Sequence, residues 1–279
     1  MAITTGNIIM GPGDLKLGVP GAHEALLRNV GSTQGGISIA SDRTYYDVMV
    51  DQAPGPVDVK ETVRQVTLKT NLAESSLVNL ARVWGYPETA VASGVFKLGV
   101  PATTPFMQLV ALSPGAGGLR RKLTGVKVVS VGNGEHRYQK SGETIIPVEF
   151  RCLFDPAKPQ DEAFGTIVEY AADATPPAIT GSTPADAAEG VATDAVVTLT
   201  FSEHIELSAL EAAFSLTPTA GGAAVAGSWA YDVGTKKATF TPTAALGAAT
   251  GYTAAVTTRL VDLEGNKLET AWSIAFTTA

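Results

Sequence analysis

The stretch AVVTLTF at residues 195–201 alternates apolar and polar side chains, so that Val197, Leu199 and Phe201 share one face. The stretch AWSIAFT at residues 271–277 repeats this pattern near the end of the chain. Such alternation is typical of a β-strand with one buried face, because successive side chains of a strand point to opposite sides. The sequence therefore predicts strands at both places and a β fold around them.

Outward from these two stretches, residues 178–279 contain further short strand candidates separated by turn residues. About seven short strands in roughly 100 residues are typical of an immunoglobulin-like sandwich. The Cys…Trp…Cys pattern of antibody domains is absent, because the chain has one cysteine, Cys152. We expect a C-terminal immunoglobulin-like β-sandwich without a disulfide.

The same half of the chain carries VVTLTFSE (196–203), TFTP (239–242), GYT (251–253), DLEGN (262–266) and FTT (276–278). In this order the stretches resemble the S-layer-type bacterial Ig-like domain over nearly all of residues 176–279. Such domains usually belong to secreted bacterial surface proteins, whereas the opening MAITTGN lacks the basic and apolar regions of a signal peptide. This combination favours a phage particle, in which Ig-like domains decorate structural proteins.

Segments with period-two alternation also lie upstream, at residues 14–19, 64–71, 125–130 and 145–154. Gly and Pro interrupt them at turn-like intervals. The pattern predicts an N-terminal antiparallel β-sandwich or barrel, so the whole chain is expected to be mainly β.

One amphipathic helix is predicted in the N-terminal part. Its apolar stripe, at positions i, i+3, i+4 and i+7, consists of Leu77, Leu80, Ala81 and Trp84. Asn71 is expected to cap the start of the helix, together with Glu74 three residues later, and Gly85 is expected to end it.

The composition changes near residue 172, where the stretch DATPP (173–177) begins. Two consecutive prolines stiffen the chain and interrupt helices and central strands. Residues 1–172 hold 16 basic and 16 acidic side chains, whereas residues 173–279 hold 4 and 11, so the net charge of −7 lies in the second part. We predict a first domain at 1–172, a linker at 173–177 and an Ig-like domain at 178–279.

The first part contains GSTQGGI (31–37), YDVMVDQ (46–52), GPV (55–57) and NLAESSL (71–77), in that order. Over roughly residues 1–170 this arrangement looks like the tail tube proteins of long-tailed bacteriophages. The resemblance implies a domain that forms hexameric rings, which stack into a hollow tube around a DNA-conducting lumen. Strands with apolar residues on both faces, such as residues 45–50, fit this expectation, because pairing of sheet edges between neighbours would bury them.

The resemblance also implies contact residues. The Pro-stiffened loop at residues 51–56 would touch the adjacent ring, and a plain β-turn is the alternative. Further contacts between subunits are expected from the N-terminal segment, residues 2–10, and from residues 161–170. The named candidates are Asp51, Gln52, Pro54, Gly55 and Pro56 in the loop, and Ile3, Ile8 and Ile9 in the N-terminal segment.

No combination of residues in the sequence indicates catalysis. The histidines, His23, His136 and His204, have no partners at the spacing of a metal site or a catalytic triad. Cys152 alternates with apolar residues and is expected in the core. The stretch DLEGN at 262–266 lacks the ligand spacing of a calcium loop and is interpreted as a turn. We therefore predict that the protein is not an enzyme and has no catalytic, cofactor-binding or metal-binding residues.

The sequence thus favours a structural virion protein, a tail tube subunit that is assembled in the host cytoplasm and carries an outward Ig-like domain. Expected partners are further copies of the chain, other tail proteins such as the tape measure, tail tip and tail terminator, DNA in transient passage, and host cell-surface polymers. No membrane span is expected, because no apolar run approaches roughly 20 residues. The alternatives are a non-enzymatic surface adhesion module that binds a glycan or protein and, third, a hydrolase with an accessory Ig-like domain.

Overall fold

The computed structural model describes residues 13–73, 76–101, 103, 105–115, 118–132 and 145–279. These residues divide into two compact units. The first contains the described residues up to 21 and residues 29–171, and the second contains residues 22–28 and 172–279. Both units consist mainly of β-strands, which confirms the predicted fold class. No helix in the described part of the chain has the length and apolar character needed to cross a membrane.

The described residues of the first unit form nine strands and one α-helix. The strands are β1 (Asp14–Gly18), β2 (Arg28–Val48), β3 (Asp58–Leu72), β4 (Val91–Ala92), β5 (Val95–Phe96), β6 (Met107–Pro114), β7 (Leu119–Ser130), β8 (Ile146–Cys152) and β9 (Thr166–Ala171). The helix is α1 (Leu77–Val83), and a 3-10 turn follows it at Glu88–Ala90.

Seven of these strands form one sheet in the order β6-β1-β2-β3-β8-β7-β9, and β6 also pairs with β7, so the sheet closes on itself. The core of this unit lies inside the closed sheet, where β8 shows the predicted alternation most clearly. Its buried side chains are Ile146, Val148, Phe150 and Cys152. The expected core position of Cys152 is therefore confirmed.

Helix α1 contributes part of its predicted apolar stripe to this core. Leu80 and Ala81 are buried, Trp84 is half-buried, and Leu77 remains exposed. The helix ends at the predicted position, because Gly85 follows it with a φ of +73°, a conformation that glycine adopts without steric cost.

The predicted start of α1 was wrong. Ser76 is the N-cap, and its hydroxyl oxygen accepts a hydrogen bond from the backbone N–H of Asn79 at 3.1 Å. Asn71 instead belongs to β3, where it pairs with Pro147 of β8. The proposed capping partner, Glu74, lies outside the described residues. Strand pairing thus holds Asn71 in an extended conformation, and a serine nearer the helix takes the capping role.

The second unit contains eight strands and one α-helix. The strands are β10 (Ile179–Thr183), β11 (Ala188–Val191), β12 (Val197–Phe201), β13 (Phe214–Pro218), β14 (Gly227–Asp232), β15 (Lys237–Pro242), β16 (Gly251–Val256) and β17 (Trp272–Thr278). The helix is α2 (Leu207–Ala213), and a 3-10 turn lies at Glu24–Leu26.

Two four-stranded sheets form this unit, in the orders β10-β12-β15-β14 and β11-β17-β16-β13. Leu199 and Phe240 from the first sheet pack in one core with Ile274 and Phe276 from the second. Burial of each side chain of this size stabilises the fold by about 1.5–3 kcal/mol. The predicted immunoglobulin-like sandwich and its inward-facing residues are confirmed.

Residues 22–28 follow β1 in the chain but belong to the second unit. Within this segment Ala25 and Leu27 are buried, whereas His23 and Arg28 are exposed. The sequence gives no sign that this segment belongs to the second unit. Its place there depends on contacts with residues about 180 positions later in the chain, such as that of Arg28 with Glu211.

Candidate self-assembly surface

Strands β2 and β3 continue together past the rest of the sheet as a two-stranded ribbon. They pair from Thr33 with Leu72 to Val48 with Asp58. Strand β3 pairs with β8 only from Val66 to Leu72. We call residues 42–65 the ribbon; within it, no described strand pairs with the outer side of β3. Its length follows from two long runs of strand-forming residues joined by a Pro-rich tip.

The ribbon exposes an unusual number of large apolar side chains. Each of the following is at least 40% exposed: Tyr45, Tyr46, Met49, Val50, Val57, Val59 and Val63. Tyr45 and Tyr46 are neighbours in a strand and therefore point to opposite faces. The ribbon thus presents apolar surface on both of its faces.

These features are unfavourable for an isolated ribbon. A two-stranded ribbon is at best marginally stable in water, and its unpaired N–H and C=O groups can template pairing with another chain. A contiguous apolar surface on a protein marks an interaction site more often than it marks chance exposure. The ribbon is therefore the strongest candidate for a contact with another chain.

Charged side chains at the base of the ribbon are arranged to limit repulsion. Arg43 and Arg64 are directly opposite each other across the two strands. Glu61 lies beside them, with its Oε1 2.7 Å from Nε of Arg64. Hydrogen bonding to Arg64 lowers the pKa of the Glu61 carboxyl and raises the pKa of the guanidinium, so both groups remain charged near neutral pH.

The predicted contact loop forms the tip of the ribbon. Asp51, Gln52, Pro54 and Pro56 are exposed there, and Gly55 is half-buried. Two backbone hydrogen bonds close the tip, from Ala53 N–H to the Val50 carbonyl at 3.1 Å and from Val57 N–H to the Val48 carbonyl at 2.9 Å. The other predicted contact residues, Ile3, Ile8 and Ile9, lie outside the described residues.

A second free edge lies on β9, within the predicted contact segment 161–170. In the described structure β9 pairs with β7 alone, from Thr166 with Thr124 to Ala171 with Leu119. An ion pair between Arg121 and Glu169 joins the two strands, and the Lys122 ammonium lies 5.3 Å from the centre of the Tyr170 ring. Exposed apolar side chains on β9 are Ile167 and Val168. The strand therefore offers an edge and an apolar surface together.

A third apolar feature, not predicted from the sequence, lies beside α1. A groove of about 480 Å³ is lined by Leu77, Leu80, Trp84, Gly94, Val95, Phe96 and Leu98. Phe96 is held by an edge-on contact with Tyr86 at 5.2 Å between ring centres. Beyond the groove, Val100 is 98% exposed. The sequence provides one partial indication of this groove. Leu77 begins the predicted apolar stripe of α1, and it remains exposed and lines the groove.

The single thiol is unsuited to nucleophilic chemistry. Cys152 is buried in β8, and burial raises the pKa of its thiol to about 11. The thiolate is the reactive form of cysteine, so the group is almost entirely protonated near neutral pH. The structure thus gives Cys152 a packing role, as its place in the alternating pattern indicated.

Three carboxylates come together in the second unit. Oxygen atoms of Asp173, Glu203 and Asp262 lie within 4.8 Å of one another. Asp262 is buried and accepts hydrogen bonds from the backbone N–H groups of Glu264 and Asn266, both at 2.8 Å. Its carboxylate therefore closes the DLEGN turn, as the sequence predicted for this stretch. Proximity of exposed acidic groups is common without a bound ion, so it does not by itself assign these carboxylates as metal ligands.

Two histidines that are far apart in the sequence are neighbours in the second unit. The ring centres of His23 and His204 are 4.5 Å apart. Nδ1 of His204 is also 3.2 Å from the Tyr231 hydroxyl. Their sequence spacing gave no sign of this proximity, because 180 residues separate them.

Comparison with known protein families identifies the second unit. Residues 173–278 match the family described as the bacterial Ig-like domain. The C-terminal part of the chain is therefore a bacterial Ig-like domain. A search of curated protein sequences gave no match.

Two solved structures show limited likeness to the chain. The N-terminal part of the bacterial S-layer protein SbsC is 20% identical with a TM-score of 0.30; the match covers 38% of this chain and 24% of that one. A chain from the tail of an empty GTA particle with C6 symmetry is 12% identical with a TM-score of 0.32, and the match covers 61% of this chain and 100% of that one. Both TM-scores are below 0.5, so neither likeness establishes a shared fold.

Proposed function

We propose that the protein is a structural subunit of a phage tail tube, which forms stacked hexameric rings around a DNA-conducting lumen and carries its Ig-like domain outward. The observation that carries this proposal is the ribbon, residues 42–65, which has apolar side chains exposed on both faces. A subunit of this kind is located in the virion tail and has no enzymatic activity. Its other partners are tail proteins such as the tape measure, tail tip and tail terminator.

The free strand edges suggest how the rings form. An edge of one copy can pair with an edge of the next, so that main-chain hydrogen bonds provide affinity and side-chain contacts provide register. The ribbon and β9 are two different edges of the same unit, so their pairing would be a head-to-tail contact. Head-to-tail contacts close into a ring when the rotation between copies allows it. The tip residues 51–56 would then contact the adjacent ring.

Charge supports passage of DNA without binding. Residues 1–172 have equal numbers of acidic and basic side chains, and the remaining residues supply the net charge of −7. Proteins that hold DNA neutralise its phosphates with many Lys and Arg side chains. A lumen that is neutral or acidic would let DNA slide through the tube.

The second candidate function is a surface adhesion module that binds a glycan or protein without catalysis. The bacterial Ig-like domain at residues 173–278 is the observation behind it, although the tail tube proposal includes the same domain. The two hypotheses differ in the role of the ribbon. Self-assembly requires the ribbon to be buried between copies of the chain, whereas the adhesion module does not.

Electron microscopy of the purified full-length protein, combined with its mass in solution, tests the proposal. We expect rings or hollow tubes with sixfold symmetry. A Tyr46→Ser/Met49→Ser double variant should stay monomeric, because it removes apolar surface that is already exposed in the monomer. Val19→Ser is the matched control, since Val19 is 74% exposed but lies outside the ribbon. A wild-type chain that remains monomeric at high concentration would instead support the adhesion module.

A further inference from the structure

The segment 22–28 is anchored in the second unit by a short turn whose first residue is a histidine. His23 is the N-cap of the 3-10 turn Glu24–Leu26, and its Nδ1 accepts a hydrogen bond from the backbone N–H of Ala25 at 3.2 Å. The backbone N–H groups of Leu26 and Leu27 donate to the carbonyls of His23 and Glu24 at 2.9 and 3.0 Å. Because a backbone N–H can only donate, the Nδ1 atom of His23 must be unprotonated for this cap to exist.

His204 makes a hydrogen bond at its own Nδ1, which lies 3.2 Å from the Tyr231 hydroxyl, and the donor in this bond depends on the tautomer of the ring. The two imidazole rings are tilted by 47° at 4.5 Å between centres. An imidazolium carries protons on both nitrogens, so protonation of His23 removes the acceptor of its turn, and protonation of either ring places a positive charge beside the other.

Positive charge surrounds this pair. Burial, His23 and the Lys236 ammonium together lower the pKa of His204. Arg28 lies at the end of the same segment, although Glu211 of α2 pairs with it at 3.2 Å. A second cation at either histidine would therefore meet a repulsive environment.

The groups that shift the pKa of His204 include no carboxylate. Glu203 precedes His204, but its carboxyl faces Asp173 and Asp262, and burial together with these two groups raises its pKa. Glu24 follows His23 within the turn itself. The groups that face His204 from other elements are thus His23, Tyr231 and Lys236, of which none is a carboxylate.

We propose that segment 22–28 is a pH-sensitive strap, which is held on the Ig-like unit by neutral His23 and His204 and is released when acidification protonates them. The lowered pKa of His204 gives the direction of the effect. A histidine with a lowered pKa contributes stability above its ordinary pKa of about 6.5, and this contribution is lost as the pH falls through the lower value in the folded state. This inference does not depend on the proposed tail function.

Hydrogen exchange of the full-length protein tests the strap directly. Exchange of the Leu26 and Leu27 amides is measured at pH 7.5 and pH 5.0 and corrected for the intrinsic pH dependence. We expect their protection to fall about fivefold to tenfold at pH 5.0, because protonation of Nδ1 removes the side-chain acceptor of the turn, and loss of such a cap costs about a factor of that size. Amides between β12 and β15 should keep their protection. Equal protection of the strap at the two pH values would overturn the proposal.

Variants separate histidine titration from general acid sensitivity. His23→Asn keeps a side-chain acceptor for the turn and cannot be protonated, so its strap should remain protected at pH 5.0. His204→Asn should also reduce the loss of protection at pH 5.0, because it removes the second ring that can become positively charged. His136→Asn is the control and should respond like the wild type. The proposal fails if both single variants retain the full wild-type pH response.

Discussion

Phe150 illustrates how single side chains hold the first unit together. It is fully buried in β8 and lies opposite Leu68 in the pairing of β3 with β8. Large-to-small changes in such a position lose the transfer free energy of the ring and leave a cavity. For a single residue such as Phe150, stability depends on how well its side chain fills the core inside the closed sheet. The proposed assembly depends instead on side chains that the sheet leaves exposed.

Replacing Phe150 should therefore destabilise the fold strongly. We expect Phe150→Ala to lower the free energy of unfolding by about 3–5 kcal/mol, measured by denaturant titration of the full-length protein. Val131→Ala, at a position that is 37% exposed, is the control and should change it by less than about 1 kcal/mol. Equal losses for the two variants would contradict the assigned core.

The thiol of Cys152 should be almost unreactive in the folded protein. Its pKa of about 11 leaves very little thiolate at pH 8. We expect a colorimetric disulfide reagent to react about a hundredfold more slowly with the native protein than with the denatured chain. Fast labelling under native conditions would show that β8 is not buried as described.

Elements of this chain are defined by competition between local signals and strand pairing. β3 runs to Leu72 because β2 and β8 both pair with it there. That pairing moves the start of α1 to Leu77 and gives the capping role to Ser76. The same two strands, at their other ends, form the ribbon that the rest of the sheet does not cover.

The cap of α1 can be tested by substitution. Ser76→Ala removes the acceptor for the Asn79 amide and should lower the free energy of unfolding by about 1 kcal/mol, whereas Ser76→Asp should preserve it. Ser41→Ala, at an exposed position in β2, should have little effect. If Asn71→Ala proved more damaging than Ser76→Ala in the same denaturation experiment, the assignment of the cap would be wrong.

Removal of the ribbon should separate folding from assembly. Residues 45–62 are replaced by Asn-Gly, a sequence that favours a tight hairpin turn between Thr44 and Val63, which are register partners. We expect the shortened protein to unfold at nearly the same temperature as the monomeric wild type but to form no rings in electron micrographs. Rings of normal diameter would exclude the ribbon from the assembly contact.

The whole molecule combines a first unit of balanced charge with an acidic Ig-like unit. Duplex DNA carries a dense negative charge, and proteins bind it by releasing counterions from its phosphates. The excess of acidic side chains in residues 173–279 works against such binding. This distribution is compatible with the proposed passage of DNA through a tube.

Consequently, we expect no retention of duplex DNA by the assembled protein in a gel-shift assay at about 150 mM salt. Lowering the salt concentration tenfold should not produce binding, because no large set of Lys–phosphate contacts is expected. A shift that strengthens steadily as salt decreases would show a basic DNA-binding surface and contradict the proposed lumen.

Local patterns in the sequence determined much of the fold. The alternation at Val197, Leu199 and Phe201 predicted a strand and its buried face, because side-chain direction in a strand has a period of two. The same reasoning placed Cys152 in the core, and Gly85 marked the end of α1. The composition and turn pattern of the last 100 or so residues predicted the Ig-like sandwich that the family match supports.

Tertiary structure alone decided which strands and side chains meet. The ribbon is exposed because β8 pairs with β3 only from Val66 onward, and a pairing limit between distant strands leaves no local signature. His23 and His204 come together for the same reason, since their contact depends on residues 22–28 packing in the second unit. Local propensity acts over a few residues, whereas these features arise from contacts between segments that the chain brings together only on folding.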